Sequence, residues 1–310
     1  MFGVIHEEGR LILAGAGSLA EIYLFGGVLN RYEIGSADGR RLNVVKAYEN
    51  IGDCRNSLTQ WFRSAKLSPY ACRIRNGAYV FSGKKYRCSK HIIQGHAAHG
   101  LMYDAEFSLL ESGADRQSAW AHIAADYRGA DEGYPFAYRI TVRYRLDSDG
   151  LSLHTCVTNL GADAMPLADG WHPYFTLGGS ADDWHLQIRS AQRLDFDGDL
   201  VPNGSITADA RFLHPCRLQG IGLDNSFVLE QNERAADAPA CTLSDGRVSL
   251  ALYPDNSYPY LQVFIPPQRD CIALENLSGA PDCFNNGLGL RILEPQQTAV
   301  FQTRFKAWFE

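Results

Sequence analysis

The stretch Thr141-Val142-Arg143-Tyr144-Arg145-Leu146, the four residues Asp147-Ser148-Asp149-Gly150 and the stretch Leu151-Ser152-Leu153-His154-Thr155-Cys156-Val157-Thr158 decide the fold class. In the first stretch apolar and polar side chains alternate. In the last, Leu151, Leu153 and Val157 fall on one face and Ser152, His154 and Thr158 on the other. A period of two is the mark of a strand with one face in a core, and the Asp-Ser-Asp-Gly stretch between them has turn chemistry. The pair is predicted to be a β-hairpin.

The same period recurs outward from this hairpin. Val248, Leu250 and Leu252 alternate after Ser244-Asp245-Gly246, and Leu261, Val263 and Ile265 alternate before Pro266-Pro267. Near the end of the chain Ala299, Phe301, Thr303, Phe305 and Phe309 share one face. Residues 51–62 are expected to form a short helix. The alanine-rich residues 114–126 read as strand, because Trp120, His122 and Ala124 alternate with Ala121, Ile123 and Ala125. Residues 235–239 read as a loop. Strand-length segments separated by Gly, Asp and Asn predict antiparallel sheets that bury their apolar faces against each other. The expectation is an all-β chain, a large antiparallel β-sandwich forming a single domain over residues 1–310.

Composition narrows the function. The chain has 310 residues, 45% of them hydrophobic and 21% charged, with a formal net charge of -6. A nucleic-acid binder usually presents a basic face, and only the pairs Arg40-Arg41 and Lys84-Lys85 interrupt the acidic balance, so no nucleic acid is expected. The opening residues carry no basic segment before an apolar run, and the apolar stretch after them is broken by glycines and Glu21. Neither a secretory signal nor a membrane span is expected, and the cytoplasm is the expected location. The eight cysteines are too scattered for a Cys-x-x-Cys element and are expected to be reduced.

Nucleotide and hydrolase signatures are missing from the sequence. There is no Walker phosphate loop, no Gly-x-Ser-x-Gly, and Gly287-Leu288-Gly289-Leu290 runs into a strand-like segment instead of opening a helix. Polar residues at predicted strand ends remain. Gly170-Trp171-His172-Pro173-Tyr174-Phe175 suits a sugar, since aromatic rings stack on pyranose C–H faces and an imidazole exchanges protons near neutral pH. A core aromatic cluster around a hydrogen-bonded histidine fits that segment equally well. Cys88, His91, His96 and His99 have a spacing that admits zinc only if the fold brings them together. Asp224 and Glu275 are acidic candidates, and Glu275 ends an apolar run where a carboxylate would be desolvated.

Taken in order, these segments resemble the aldose 1-epimerase, or galactose mutarotase-like, family. The resemblance is carried by Ser68-Pro69-Tyr70-Ala71-Cys72-Arg73-Ile74 with Asn76-Gly77, and by Tyr79 to Tyr86. It continues through His99-Gly100-Leu101, Tyr134-Pro135-Phe136 and His172-Pro173-Tyr174-Phe175. Asp224 with Phe227, Leu274-Glu275 and Phe284-Asn285-Asn286-Gly287 complete it, so that it runs from about Gly26 to the C-terminus. It implies a galactose mutarotase-like supersandwich, an isomerase that interconverts the α and β anomers of a free hexose, and no cofactor or metal. A small-molecule sugar would be the partner, with no membrane involved, and the chain would be a monomer or homodimer.

Carried over residue by residue, His172 would be the general acid at the ring oxygen and Glu275 the general base at the anomeric hydroxyl. Arg73, His99 and Asp224 would bind and orient the sugar. Two departures stand out: Cys72 where the family commonly has Asn, and Pro295-Gln296-Gln297 where it commonly has Pro-Gly-Glu. Alternatives on the same scaffold are a hexose-6-phosphate 1-epimerase, with Arg75, Lys84, Lys85 or His91 as phosphate ligands, and a non-catalytic sugar sensor. Glycoside hydrolysis by Asp224 and Glu275 would require a carboxyl pair flanking a scissile bond.

Overall fold

The computed structural model describes residues 1–230 and 238–310. The predicted hairpin is present: Tyr138–Asp147 and Gly150–Asn159 pair in antiparallel register, with Asp147 opposite Gly150. These two strands are the third and fourth in a nine-stranded sheet that begins at Ser108–Ala114 and Ser118–Tyr127. After the hairpin come Thr298–Phe309, Val248–Pro254, Cys241–Ser244, His185–Ile188 and Cys216–Arg217. The alanine-rich segment is therefore strand, as its alternation predicts. The helix is Ile51–Trp61, capped by the Asn50 side chain, which accepts from the Asp53 N–H. Of the loop expected at 235–239, residues 235–237 lie outside the described residues.

A second sheet carries the chemistry. Its path runs through Pro202–Ala208, Gln192–Phe196, Asp224–Val228, Tyr260–Phe264, Ile272–Leu277, Gly170–His172 and Ala65–Leu67, with Tyr174–Phe175 also paired to Ile272–Leu277. The two sheets meet through aromatic contacts: Trp171 on Tyr144, Phe175 on Phe305 and Tyr258 on Phe301. A five-stranded N-terminal sheet, Gly3–Glu7 to Arg41–Asn43, adds Leu11, Leu13 and Ile22 to the same core.

Strand Ile272–Leu277 is buried along its whole length. Its Ile272 and Leu274 join the core shared with the nine-stranded sheet, while Ala273 and Leu277 join separate clusters on the other side. Side chains alternate across a strand, so Glu275 shares the face of Ala273 and Leu277, turned away from the main core. That face is the one on which the site is built.

Candidate active site

Register assembles the floor. Gly170 pairs with Leu277 and Tyr174 with Ala273, which sets His172 opposite Glu275; on the other side of Glu275 its partner is Gln262. Residues paired across neighbouring strands lie on the same face, so one imidazole, one carboxyl and one amide form a row across three strands. Asp224 enters from the fourth strand, where Ser226 pairs with Gln262, and accepts from Gln262 Nε2 at 2.7 Å. His172 Nε2 and Glu275 Oε1 are 3.4 Å apart.

His99 and Arg73 come from outside this sheet. Strand Arg73–Ile74 pairs with His96–Ala98, and His99 follows at once. The His99 N–H donates to the Cys72 carbonyl at 2.8 Å, and its ring meets that of His172 edge-on at 5.0 Å between centroids. Gly100 makes this turn possible. Its φ is +77° and a Cβ there would lie 2.4 Å from the Ser68 carbonyl oxygen, so only glycine fits. Phe62 packs on His99 at 4.5 Å from the residue after the helix.

All five sequence-expected residues, Arg73, His99, His172, Asp224 and Glu275, thus line one cavity of about 280 Å³. Gln262, Cys72, Tyr174, Phe62, Trp61, Phe196 and Leu200 also line it, and of these only Tyr174 lies in the segment that the sequence marks as suited to a sugar. Gln262 sits inside an alternating strand, and only the register with Glu275 marks it out. Cys72 has φ +51°, a conformation that Asn tolerates far better than most side chains, which fits the Asn expected there from the sequence resemblance. Gln296 is parallel, with φ +64° where the sequence resemblance leads one to expect Gly.

The electrostatics follow from burial. His172 is 6% exposed and Glu275 2%. Desolvation disfavours both charged forms: it pulls the His172 imidazole down to about 4 and holds the Glu275 carboxyl well above its usual range, helped by the nearby Asp224 charge. His99 is likewise pulled down by burial and by His172. Burial raises Asp224 as well, opposed by the Arg73 guanidinium and the Gln262 amide. Glu275 Oε2, His172 Nδ1, His99 Nδ1 and Gln262 Oε1 are buried with no hydrogen-bond partner in the protein. A buried polar atom without a partner is costly, and all four belong to residues that line this cavity, which marks it as a polar site.

The residues with a zinc-like spacing go to separate tasks. The Cys88 thiol faces the Gly133 carbonyl, His96 Nδ1 accepts from the Asn76 N–H, and His91 packs on Phe62. Among the described residues no three His, Cys, Asp or Glu side chains gather as a metal-binding group. No described helix is long and apolar enough to cross a membrane.

An antiparallel β-sandwich of this arrangement has the fold of the galactose mutarotase-like proteins. The model of the family "Aldose 1-epimerase" matches residues 11–306, and the chain belongs to that family. The match begins earlier than Gly26, where the resemblance in sequence starts. YihR, an uncharacterized protein of Escherichia coli (strain K12), is 28% identical over 236 residues, covering 74% of this chain and 73% of YihR. A galactose mutarotase-like protein from Clostridium acetobutylicum superposes with a TM-score of 0.88 at 16% identity, covering 100% of this chain and 99% of that one. Galactose 1-epimerase from Lactobacillus acidophilus NCFM superposes with a TM-score of 0.80 at 18% identity, covering 100% and 98%. At these identities the structural likeness establishes the fold.

Proposed function

We propose that the protein is an aldose 1-epimerase that interconverts the α and β anomers of a free hexose. The observation that carries this reading is the buried contact between His172 Nε2 and Glu275 Oε1 at 3.4 Å. The hemiacetal oxygens O1 and O5 are both bonded to C1. Ring opening removes a proton from one and delivers a proton to the other, so a close acid–base pair serves both.

Burial favours the neutral form of both partners. A neutral imidazole beside a protonated carboxyl carries the same single proton as an imidazolium beside a carboxylate. Shifting that proton from Glu275 to His172 arms the pair, and the hydroxyls of a bound sugar replace the hydration that burial removed. Glu275 then takes the O1 proton, C1=O1 forms, the C1–O5 bond breaks and O5 takes the proton from His172. Rotation about C1–C2 and reclosure with the roles reversed give the other anomer. Each proton transfer is worth about 10²–10⁴-fold. Nothing is consumed. Arg73, His99 and Asp224 bind the remaining hydroxyls, and we add Gln262, which lines the cavity and whose amide N–H donates to Asp224.

Charge favours a neutral sugar over a sugar phosphate. Among the described residues that line the cavity, Arg73 is the sole Lys or Arg, and it already acts on Asp224. Arg75 is paired with Asp197 and Asp199, and Lys84 and Lys85 lie on a separate hairpin that does not line the cavity. Polarimetry of freshly dissolved α-glucose, α-galactose and glucose 6-phosphate tests the reading. The free hexoses are expected to turn over faster than the phosphate, and Glu275→Gln to lose at least about 10²-fold in kcat while still binding sugar. Wild-type turnover in Glu275→Gln would refute the assignment, and preference for the phosphate would refute the substrate class.

A further inference from the structure

The cavity floor accommodates one reacting ring. Beyond it the exposed part of the cavity lining has a different character. Thr59 and Gln60 are exposed and Trp61 is half-buried, all three at the C-terminal end of the helix Ile51–Trp61. Half-buried Phe196, at the end of strand Gln192–Phe196, and half-buried Leu200, in the loop after it, line the same cavity. Among the described residues neither Trp61 nor Phe196 stacks on another aromatic ring, unlike Phe62, which is packed against His91, His99 and Tyr103.

This wall is held in place. Arg75 pairs with Asp197 and, at 3.1 Å, with Asp199, while Arg73 donates to the Asp199 carbonyl. Both cations of this clamp come from one short segment, Arg73 from strand Arg73–Ile74 and Arg75 from the turn after it, and Arg73 lines the cavity, so the loop keeps a set position relative to the site. Two aromatic rings without ring partners, set beside short hydroxyl and amide side chains, match a pyranose, which offers apolar C–H faces and hydroxyl edges.

We infer that this mouth is a subsite for a second sugar ring and that the substrate class is reducing disaccharides and longer reducing oligosaccharides. The inference rests on the epimerase reading of the floor. If His172 and Glu275 act at O1 and O5, the ring on the floor must have a free anomeric hydroxyl. A second ring is then linked through another hydroxyl of that ring and extends along the open side of the cavity, over Trp61 and Phe196.

The test is the mutarotation rate of glucose and galactose against maltose, cellobiose, lactose and melibiose. It uses the wild-type protein, Trp61→Ala, Trp61→Phe and Phe196→Ala, with folding of each variant checked by circular dichroism. At least one disaccharide is expected to exceed its parent monosaccharide in kcat/KM. The ratio of disaccharide to monosaccharide kcat/KM is expected to fall about three- to tenfold in Trp61→Ala and to recover in part in Trp61→Phe. Monosaccharide turnover with every disaccharide slower in the wild type would overturn the inference and leave the epimerase reading standing. An equal loss for both sugar sizes in Trp61→Ala and Phe196→Ala would do the same. A folded wild-type protein that turns over no sugar of either size would overturn both.

Discussion

Burial sets the proton count of His172 and Glu275, and that count can be read from stability. Unfolded, the carboxyl titrates near 4.5 and the imidazole near 6.5; folded, the carboxyl is held well above 4.5 and the imidazole at about 4. Above pH 4.5 the raised carboxyl keeps protons that the unfolded chain has released, and below 6.5 the depressed imidazole has released protons that the unfolded chain keeps, so the two effects on stability oppose each other. Single substitutions separate the two terms. In Glu275→Gln only the depressed imidazole remains, the unfolded chain binds more protons, and the imidazole's contribution to stability rises with pH from about 4 to 6.5. In His172→Asn only the raised carboxyl remains, the native state binds more protons above 4.5, and relative stability falls as pH rises. Each slope approaches ~1.4 kcal/mol per pH unit. Urea midpoints across this range measure both, and parallel curves for the two variants would contradict the account. At this scale the sequence was informative where a residue broke a pattern. Glu275 ends an apolar run and His172 sits between Trp and Pro, whereas Gln262 fits its alternating strand and gives no sign of the face it shares with Glu275.

The elements show where periodicity carries information. Strands Tyr138–Asp147 and Gly150–Asn159 pack one face inward and leave the other toward solvent, so alternation is visible in their composition. Strand Ile272–Leu277 is buried on both faces and presents the apolar run Ile272–Leu274 ended by Glu275 and Asn276, from which neither its partners nor its register can be read. The site is a product of that register. Turns are equally specific. Gly100 permits the backbone conformation that places His99, and Gly100→Ala would push a Cβ to 2.4 Å from the Ser68 carbonyl oxygen. Gly95→Ala is the control: it has φ +88° but no atom within 4 Å of the added carbon, so it bears the conformational strain alone. Gly95→Ala is expected to lose ~1 kcal/mol in denaturant titrations and Gly100→Ala clearly more. Gly100→Ala should also weaken sugar binding by about tenfold or more, since His99 moves with it. Equal losses in the two variants would show that the close approach at Gly100 does not matter.

Across the whole molecule, the apolar core that joins the sheets is pinned by a buried polar knot behind the site. Lys66 Nζ, fully buried, donates to Asp169 Oδ1 at 2.7 Å and to the Gly170 carbonyl at 2.7 Å. It also lies over the Trp171 ring at 4.4 Å, and Tyr258 donates to the same Asp169 oxygen at 2.7 Å. Desolvation pulls the Lys66 ammonium down to about 8 and pushes the Asp169 carboxyl up, opposed in each case by the partner. Because Lys66 pairs with Trp171 in the sheet, the knot ties the edge strand to the one that carries His172. We propose that the chain unfolds as one unit, since residues of the five-, eight- and nine-stranded sheets share one contiguous core. On that reading Lys66→Met costs ~3–5 kcal/mol on a single transition, by leaving Asp169 buried without its cation, and Lys66→Met/Asp169→Leu recovers much of it. Two separate transitions in calorimetry would refute the single unit. No recovery in the double variant would show that Lys66 contributes packing rather than charge pairing.

The central claim is that protons move and the anomeric oxygen stays on C1. Carbon-13 NMR of a hexose labelled at C1 with carbon-13 and at O1 with oxygen-18 reports anomer exchange and label retention together. The account predicts α–β exchange accelerated in proportion to the protein added, with the oxygen-18 label retained through many turnovers. No acceleration with any free hexose, or loss of the label at the rate of exchange, would contradict it.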